Sequence, residues 1–552
     1  MGGVLAAALL ALPVASHAAE VPSGTDITNG MAVHITPQGV GFLQDQVKYI
    51  VPTSVAVPNQ GGDVFSCLFD TNTWSLTNGV VHLQVGKVII TPIEGALQLH
   101  IEISVSADAH VSTSGCLVNL GCDISIPPSP VTADTTIDLA MQNVQGQPHP
   151  QVVATVPAFA TQLNLAGVDF NCGLGGDILS LIESLFNGSV QSAINNAINN
   201  QVAPMLQPAI QNAFNSLALS GSTSLSGVEL DYDFYPTGLA IHPGTIGIVM
   251  GGHFSTPNPA ACIDPARGSV VMGGDLPNYG ATSPSGAQYH AAVSLADDLL
   301  NQLVFSAWRG GLLCRNIDSA GGQPLTTDML TLIGGQITKV VTPGGPMVVQ
   351  LLAEDPPLIT LGGPNGATAE ISVSNLHVDL MADVNERLAR ILRLTLGANA
   401  TLTVAMNADH QIVVTPNFDP SAIQGTVDYD ELAPDAAQTV INLLPTLVTT
   451  LVPNLANAIP PIDLPALDGV TIDSAEIVPD GPQSAFLSVY TGLGGHVNSG
   501  GCNAGSTGGC GVSGGTGTGC TIGGTRTLDG AVISPMMLGL GLAVVFVRRR
   551  RG

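Results

Sequence analysis

The chain has 552 residues, of which 45% are apolar and only 10% charged, and it carries a formal net charge of -27. Residues 19–250 hold 17 acidic residues against two bases, Lys48 and Lys87, which excludes nucleic acid as a partner because nothing there could neutralise a run of phosphates. The mean hydropathy is +0.37, yet no apolar run between residues 20 and 530 is long enough to span a bilayer, so the apolar excess must face an interior, in a chain long enough for at least two cores; a larger ordinary core is the simpler reading of it and an enclosed apolar ligand the alternative.

In chain order, residues 1–18 are expected to be a signal peptide: an apolar stretch from Val4 to Val14 precedes Ser16-His17-Ala18, a small-x-small cleavage pattern. Next, Ile35-Thr36-Pro37-Gln38-Gly39-Val40 leads into Phe42, Leu43, Val47 and Ile50. Thr36 suits the N-cap of a short amphipathic helix and Pro37 its first turn. From Leu97 to Val105, Leu97, Leu99, Ile101, Ile103 and Val105 alternate with Gln98, His100, Glu102 and Ser104, the period of a strand with one apolar face.

Residues 177–217 place Ile178, Leu181, Ile182, Leu185, Ile194, Ile198, Val202 and Met205 at helical spacing, with Ser, Asn and Gln opposite. Asp177 is the expected cap, and Pro204 and Pro208 should bend or break the helix. Leu225-Ser-Gly227-Val228-Glu-Leu230-Asp231 follows, and it recurs as Leu467-Asp-Gly469-Val470-Thr-Ile472-Asp473. The recurrence predicts one architectural unit used twice.

The second half repeats the order. Ser294 to Ser306, with Leu295, Leu299, Leu300, Leu303 and Val304, is predicted as a short helix. Strands follow from about 358 to 416, including Leu376, Val378 and Leu380 against His377 and Asp379, and Ala400, Leu402, Val404 and Met406. A second long helix, interrupted at Pro445 and Pro453, is predicted over 431–459 from Leu432, Val440, Leu443, Leu444, Leu447, Leu451 and Leu455. His100 and His377 fall on polar strand faces and are expected to be solvated.

The body carries Cys67, Cys116, Cys122, Cys172, Cys262 and Cys314, an even number that fits disulfides in an oxidising compartment. Cys116 and Cys122 are close enough to staple a hairpin, and Cys262 is a candidate partner for Cys314. Past residue 494 come a Gly/Cys-rich linker over 495–530 with Cys502, Cys510 and Cys520, and then residues 531–552: an apolar segment, Ala531 to Val547, ending in Arg548, Arg549, Arg550 and Arg551. That order resembles the tripartite C-terminal sorting signals of bacterial surface proteins, including the myxobacterial type, which implies export and C-terminal processing machinery as partners. A retained transmembrane helix with a positive-inside stop is the alternative. Either way the body is expected outside the cytoplasm, at the cell surface or outer membrane or released from it.

The Ile-Thr-x-x-Gly-apolar start of a helix, then antiparallel strands, a long helix and more strands, all run twice, resembles the bactericidal/permeability-increasing protein and lipid-transfer family, the tubular lipid-binding fold. The resemblance implies an α+β protein of two pseudo-repeated elongated antiparallel β-barrels, each wrapped around a long bent helix and joined by a central sheet. The barrels would span 19–254 and 289–494, with a Pro/Gly-rich connector at 255–288. It also implies acyl-chain lipid, phospholipid or another, held between helix and sheet, contact with a membrane surface, and no cofactor. The apolar slot would draw on Leu43, Val47, Ile178, Ile182, Ile194, Ile198, Leu299, Leu303, Leu447 and Leu451. The N-terminal half lacks the cationic tip of the family's bactericidal members, and the helix over 177–217 lacks the family's cysteine. Cys172 would stand in for that cysteine, with Cys67, Cys116 or Cys122 as partner.

Motifs for catalysis are not found: the chain has no GxSxG, HExxH, P-loop or dinucleotide fingerprint. Asp231 and Asp233 flank Tyr232, Asp45, Glu183 and Asp409 are scattered, and His242 and His253 have no metal-ligand partner at ligand spacing, so no metal and no catalytic residue is assigned. A structural or adhesive surface protein is the alternative to a lipid binder. A hydrolase with a dispersed site is the third possibility.

Overall fold

A computed structural model of the chain describes residues 19–495 except 48–53, 57–58, 67–70, 116–119, 164–168, 226, 321–322, 333–334, 408–410, 420–422, 433–461, 464–469 and 171–202, of which 191–192, 195–196 and 199 are described. The main elements of the first half are β1 (Ile27–Ile35), α1 (Pro37–Val47) and three long strands, β2 (Thr71–Ile93), β3 (Ala96–Ser114) and β4 (Leu120–Gln142). The short strands β5 (Gln151–Thr155) and β6 (Ala160–Leu163) follow, then α2 (Ala203–Asn215), β7 (Val228–His242) and β8 (Thr245–Ser255). The second half runs through β9 (Ala291–Ala296), α3 (Asp297–Arg309), β10 (Met347–Ala353), β11 (Ala369–Val384), β12 (Arg387–Met406), β13 (Gln411–Phe418), β14 (Val470–Asp480) and β15 (Phe486–Gly495), again a strand, a helix and then strands.

The protein is mostly β-sheet, with two curled half-barrel sheets and a seven-stranded sheet between them. In the central sheet β1 and β9 lie side by side, antiparallel, with Val33 opposite Val293 and Met31 opposite Leu295. Outward from β1 come β8, then β7 and an edge strand, Leu219–Leu225; outward from β9 come β15 and then β14. The two halves therefore map onto each other about the central pair. The echoed heptapeptides open equivalent strands, since Val228 is the first residue of β7 and Val470 the first of β14.

Local chemistry explains how each half starts. Thr36 caps α1 as predicted: its Oγ1 accepts from Gly39 N at 3.2 Å and donates to Tyr289 O at 2.7 Å. Gly39 is fixed by a close approach, because a Cβ there would stand 2.1 Å from the His290 carbonyl oxygen. The predicted helix over Ser294 to Ser306 is corrected: Ser294, Leu295 and Ala296 belong to β9, and the helix starts at Asp297. All six residues of β9 are buried, so the strand is covered on both faces and shows no alternation for a sequence reading to find.

The helix α3 ties the halves together through its polar side chains. Asp298 accepts from Met272 N and Gly273 N at 2.6 and 2.9 Å, and Gln302 accepts from Phe254 N at 2.8 Å while donating to Thr25 O at 2.7 Å. Toward the second curled sheet, Asn301 accepts from Ile359 N at 2.7 Å and Trp308 Nε1 donates to Ala353 O at 2.9 Å. The expected Cys262–Cys314 disulfide is present beside these contacts. Cys122 is also disulfide-bonded, while Cys67, Cys116 and Cys172 lie outside the described residues.

Among the described residues no helix is long and apolar enough to cross a membrane. The tail helix, Cys502, Cys510, Cys520, the Arg548 to Arg551 cluster and the signal peptide lie outside them. So do the predicted helix over 431–459, apart from its first two residues, and most of 177–217. Within the latter, α2 starts one residue before Pro204 and carries Pro208 inside it.

Candidate functional site: the interior face of the first curled sheet

The three long strands β2, β3 and β4 run 23, 19 and 23 residues, far beyond the usual strand of about six residues. In β3 the predicted alternation holds along the whole strand. Leu97, Leu99, Ile101, Ile103, Val105, Ala107, Ala109 and Val111 are all buried. On β4 the same face carries Ile124, Ile126, Val131, Ala133, Ile137 and Leu139, and on β2 Leu76, Val81, Leu83 and Val88, all buried. At about 3.3 Å per residue this face is roughly 60 Å long. By contrast the 11-residue α1 and the 13-residue α2 each cover only about 20 Å.

Register shifts bend the sheet near its middle. They fall between Val85 and Lys87 on β2 and between Val105 and Ala107 on β3, opposite the Pro127-Pro128 step of β4. Such bulges raise local twist and curl a sheet, and they accommodate prolines that cannot donate to the ladder.

Every charged residue of these three strands lies on the opposite face: Lys87, Glu102, Asp108, Asp123, Asp134 and Asp138 are exposed or half-buried. The interior face carries two buried hydroxyls, both committed to backbone. Ser129 donates to Pro127 O at 2.8 Å and Thr135 to Pro157 O at 3.2 Å.

Two helices pack on this sheet. On α1, half-buried Leu43 packs against the core and Gln44 donates to Ile90 O at 2.8 Å. The asparagines of the predicted polar helix face fasten that segment to the short strands at the sheet edge. Asn215 accepts from Val152 N at 2.7 Å and donates to Val152 O at 3.0 Å; Asn199 accepts from Phe159 N at 2.6 Å, and Asn195 from Thr161. The repeated Ile-Asn-Asn of residues 194–196 and 198–200 was the available signal for this role.

Of the expected slot residues, Leu43 faces the core beneath α1, and Val47 is the last residue of that helix. Leu299 is buried and Leu303 half-buried; both project from α3 onto the central sheet. Ile178, Ile182, Ile194, Ile198, Leu447 and Leu451 lie outside the described residues.

Several histidines act as partners for acids. His100 Nδ1 lies 2.6 Å from Asp134, and His110 Nδ1 2.8 Å from Asp123, each pair directly opposed across β3 and β4. The hydrogen bond to Asp134 holds the His100 imidazole above its ordinary pKa. His377 corrects the expectation of a solvated ring: its side chain is only 13% exposed and meets Glu354 at 2.9 Å and Thr395 at 2.7 Å.

At the end of the central sheet, His149 meets Asp233 at 2.7 Å and stacks on Tyr235, whose hydroxyl donates to Asp26 at 2.8 Å, and His253 meets the same Asp26 at 2.7 Å. Burial opposes ionisation of Asp26, but His253 and Tyr235 hold its carboxyl below the usual range. Burial and the Asp26 bond push the Tyr235 phenol up to about 12. This group joins the loop after β4 to β7 and β8. Among the described residues no three or more His, Cys, Asp or Glu side chains are arranged to hold a metal ion.

No family model matches the chain, and no curated protein does. Among solved structures it is similar to a lipopolysaccharide binding protein, at 12% identity and a TM-score of 0.46, covering 85% of this chain and 99% of that one. It is also similar to a Clostridium botulinum protein, at 8% identity and a TM-score of 0.27 over 85% of this chain and 100% of the other. Takeout 1 of Epiphyas postvittana matches 32% of this chain and 83% of its own, at 10% identity and a TM-score of 0.16. With TM-scores below 0.5 these likenesses carry no weight for function, which rests on the interior described above.

Proposed function

We propose that the protein is an exported lipid-binding protein that holds acyl chains against the interior face of β2, β3 and β4. One observation carries this reading: a carbon-lined face runs the length of three exceptionally long strands, with every charged residue of those strands on the other side. Such a face needs no charged or catalytic group to bind a chain, because burial of methylenes at about 0.8 kcal/mol each is sufficient. In this reading the chain has two lipid-binding units, 19–254 and 289–494, joined at 255–288. It shuttles or stores lipid outside the cytoplasm, with residues 1–18 directing export and residues 495–552 directing sorting to the surface.

The test is to express the exported body, purify it without detergent, and identify co-purifying molecules by native mass spectrometry and extraction. One or two acyl lipids at near-stoichiometric occupancy are expected. A protein that comes out empty and takes up no fluorescent acyl probe would sink the proposal in favour of a structural surface protein.

A further inference from the structure

We infer that the first curled sheet selects chain lipids whose headgroup carries no phosphate or other negative charge, such as acylglycerols, fatty alcohols or wax esters. This rests on the lipid-binding reading above and adds the ligand class. Residues 19–250 hold 17 acids, and the only two bases there are Lys48 and Lys87. Lys87 is exposed on the outer face, opposite Glu102 in register. A surface so one-sided sets up a negative potential that repels anionic headgroups and lowers their local concentration.

The histidines of β2, β3 and β7 are already paired with acids. His82, His100, His110 and His242 each lie within 3.5 Å of a carboxylate: Asp108, Asp134, Asp123 and Glu94 respectively. Each of these rings is engaged by a carboxylate of the chain itself and is not left free for a ligand. Two backbone donors are taken by side chains as well: Thr36 Oγ1 accepts from Gly39 N, and Gln302 from Phe254 N in the central sheet. The interior hydroxyls, Ser129 and Thr135, donate to carbonyls of the chain itself. The two described helices that pack on the sheet carry one charged residue between them, Asp45, and it is an acid. A phosphate drawn in with its acyl chains would lose water against a face on which these strands place no charged side chain, whereas an ester or hydroxyl headgroup would lose far less.

The experiment offers the full-length purified protein an equimolar mixture of diacylglycerol, phosphatidylcholine and phosphatidylglycerol with identical acyl chains, and reads retained lipid by native mass spectrometry. Diacylglycerol should be enriched about tenfold or more over either phospholipid. Retention of phosphatidylglycerol or phosphatidylcholine at parity or above would overturn the neutral-ligand inference while leaving the slot in place. Retention of no lipid at all would overturn the slot and this inference together.

Discussion

The two curled sheets use the same alternating strand pattern to opposite ends. In the first, Leu99, Ile101 and Ile103 are buried, and the intervening His100 and Glu102 lie outside. In the second, Leu376, Val378 and Leu380 are only half-buried, whereas Asp379 between them is 5% exposed. Arg393 holds that carboxylate with two bonds of 2.7 Å, and Arg390 approaches it at 3.1 Å. Three of the bases outside the tail, Arg387, Arg390 and Arg393, thus sit on one strand of the second sheet, while the first sheet counters its acids with histidine. Alternation tells which residues share a face. Which face becomes the interior is decided by what packs over it, and that is a tertiary property.

The largest expected effect separates the two interiors. Val105→Asp would place a carboxylate on the wholly buried face of β3 and should destabilise by about 4 kcal/mol or more, with loss of bound lipid. Val378→Asp on the half-buried face of β11 should cost roughly half as much. Denaturant midpoints and lipid occupancy of both variants check this, and equal losses would erase the contrast between the sheets. Next in size, Asp379→Asn leaves Arg393 and Arg390 without their shared anion and should cost about 3 kcal/mol. Replacing Asp379 and Arg393 together by leucine and methionine should recover most of that loss. Asn215→Ala removes both bonds to buried Val152 and should cost about 2 kcal/mol, loosening α2 from the sheet edge. Amide exchange at Val152 reports it directly.

Much of the first sheet was legible in the sequence because its interior is chemically uniform: a period of two from Leu97 to Val105 leaves one arrangement possible. The cap at Thr36 was legible because capping is local, and the equivalence of Val228 and Val470 because the heptapeptide that contains each Gly-Val step repeats. The start of α3 was not, since β9 is buried on both faces and its apolar residues fit a helical spacing equally well. The partners of His377 were invisible for a different reason: Glu354, Thr395 and Asp428 come from three separate segments. The polar contacts of α3 share that origin, with Thr25, Phe254, Met272, Ile359 and Ala353 scattered over the chain. Of the candidate site, the sequence exposed the carbon face of β3 and the polar row containing Asn195 and Asn199, but not that this row would bind the edge strands.

The smallest expected effect is a difference in how the two sheets answer pH. His100 has its folded pKa raised by the bond to Asp134. Its contribution is therefore fully present below the unfolded value of about 6.5 and is lost as pH rises through the folded value. Asp379 runs the other way. Burial opposes its charge, but Arg393 and Arg390 hold its pKa below the ordinary carboxylate value, so its contribution is present above about 3.9 and is lost as pH falls through the folded value. Mild acidification from pH 8 to 6 should then tighten the first sheet by a few tenths of a kcal/mol, since His100 is partly exposed and screened, and leave the contribution of Asp379 to the second unchanged. Site-resolved amide exchange at Ile101 and Val378 across that range measures both. The gain at Ile101 should vanish in His100→Gln, and a gain that persists in that variant would assign the effect to other groups.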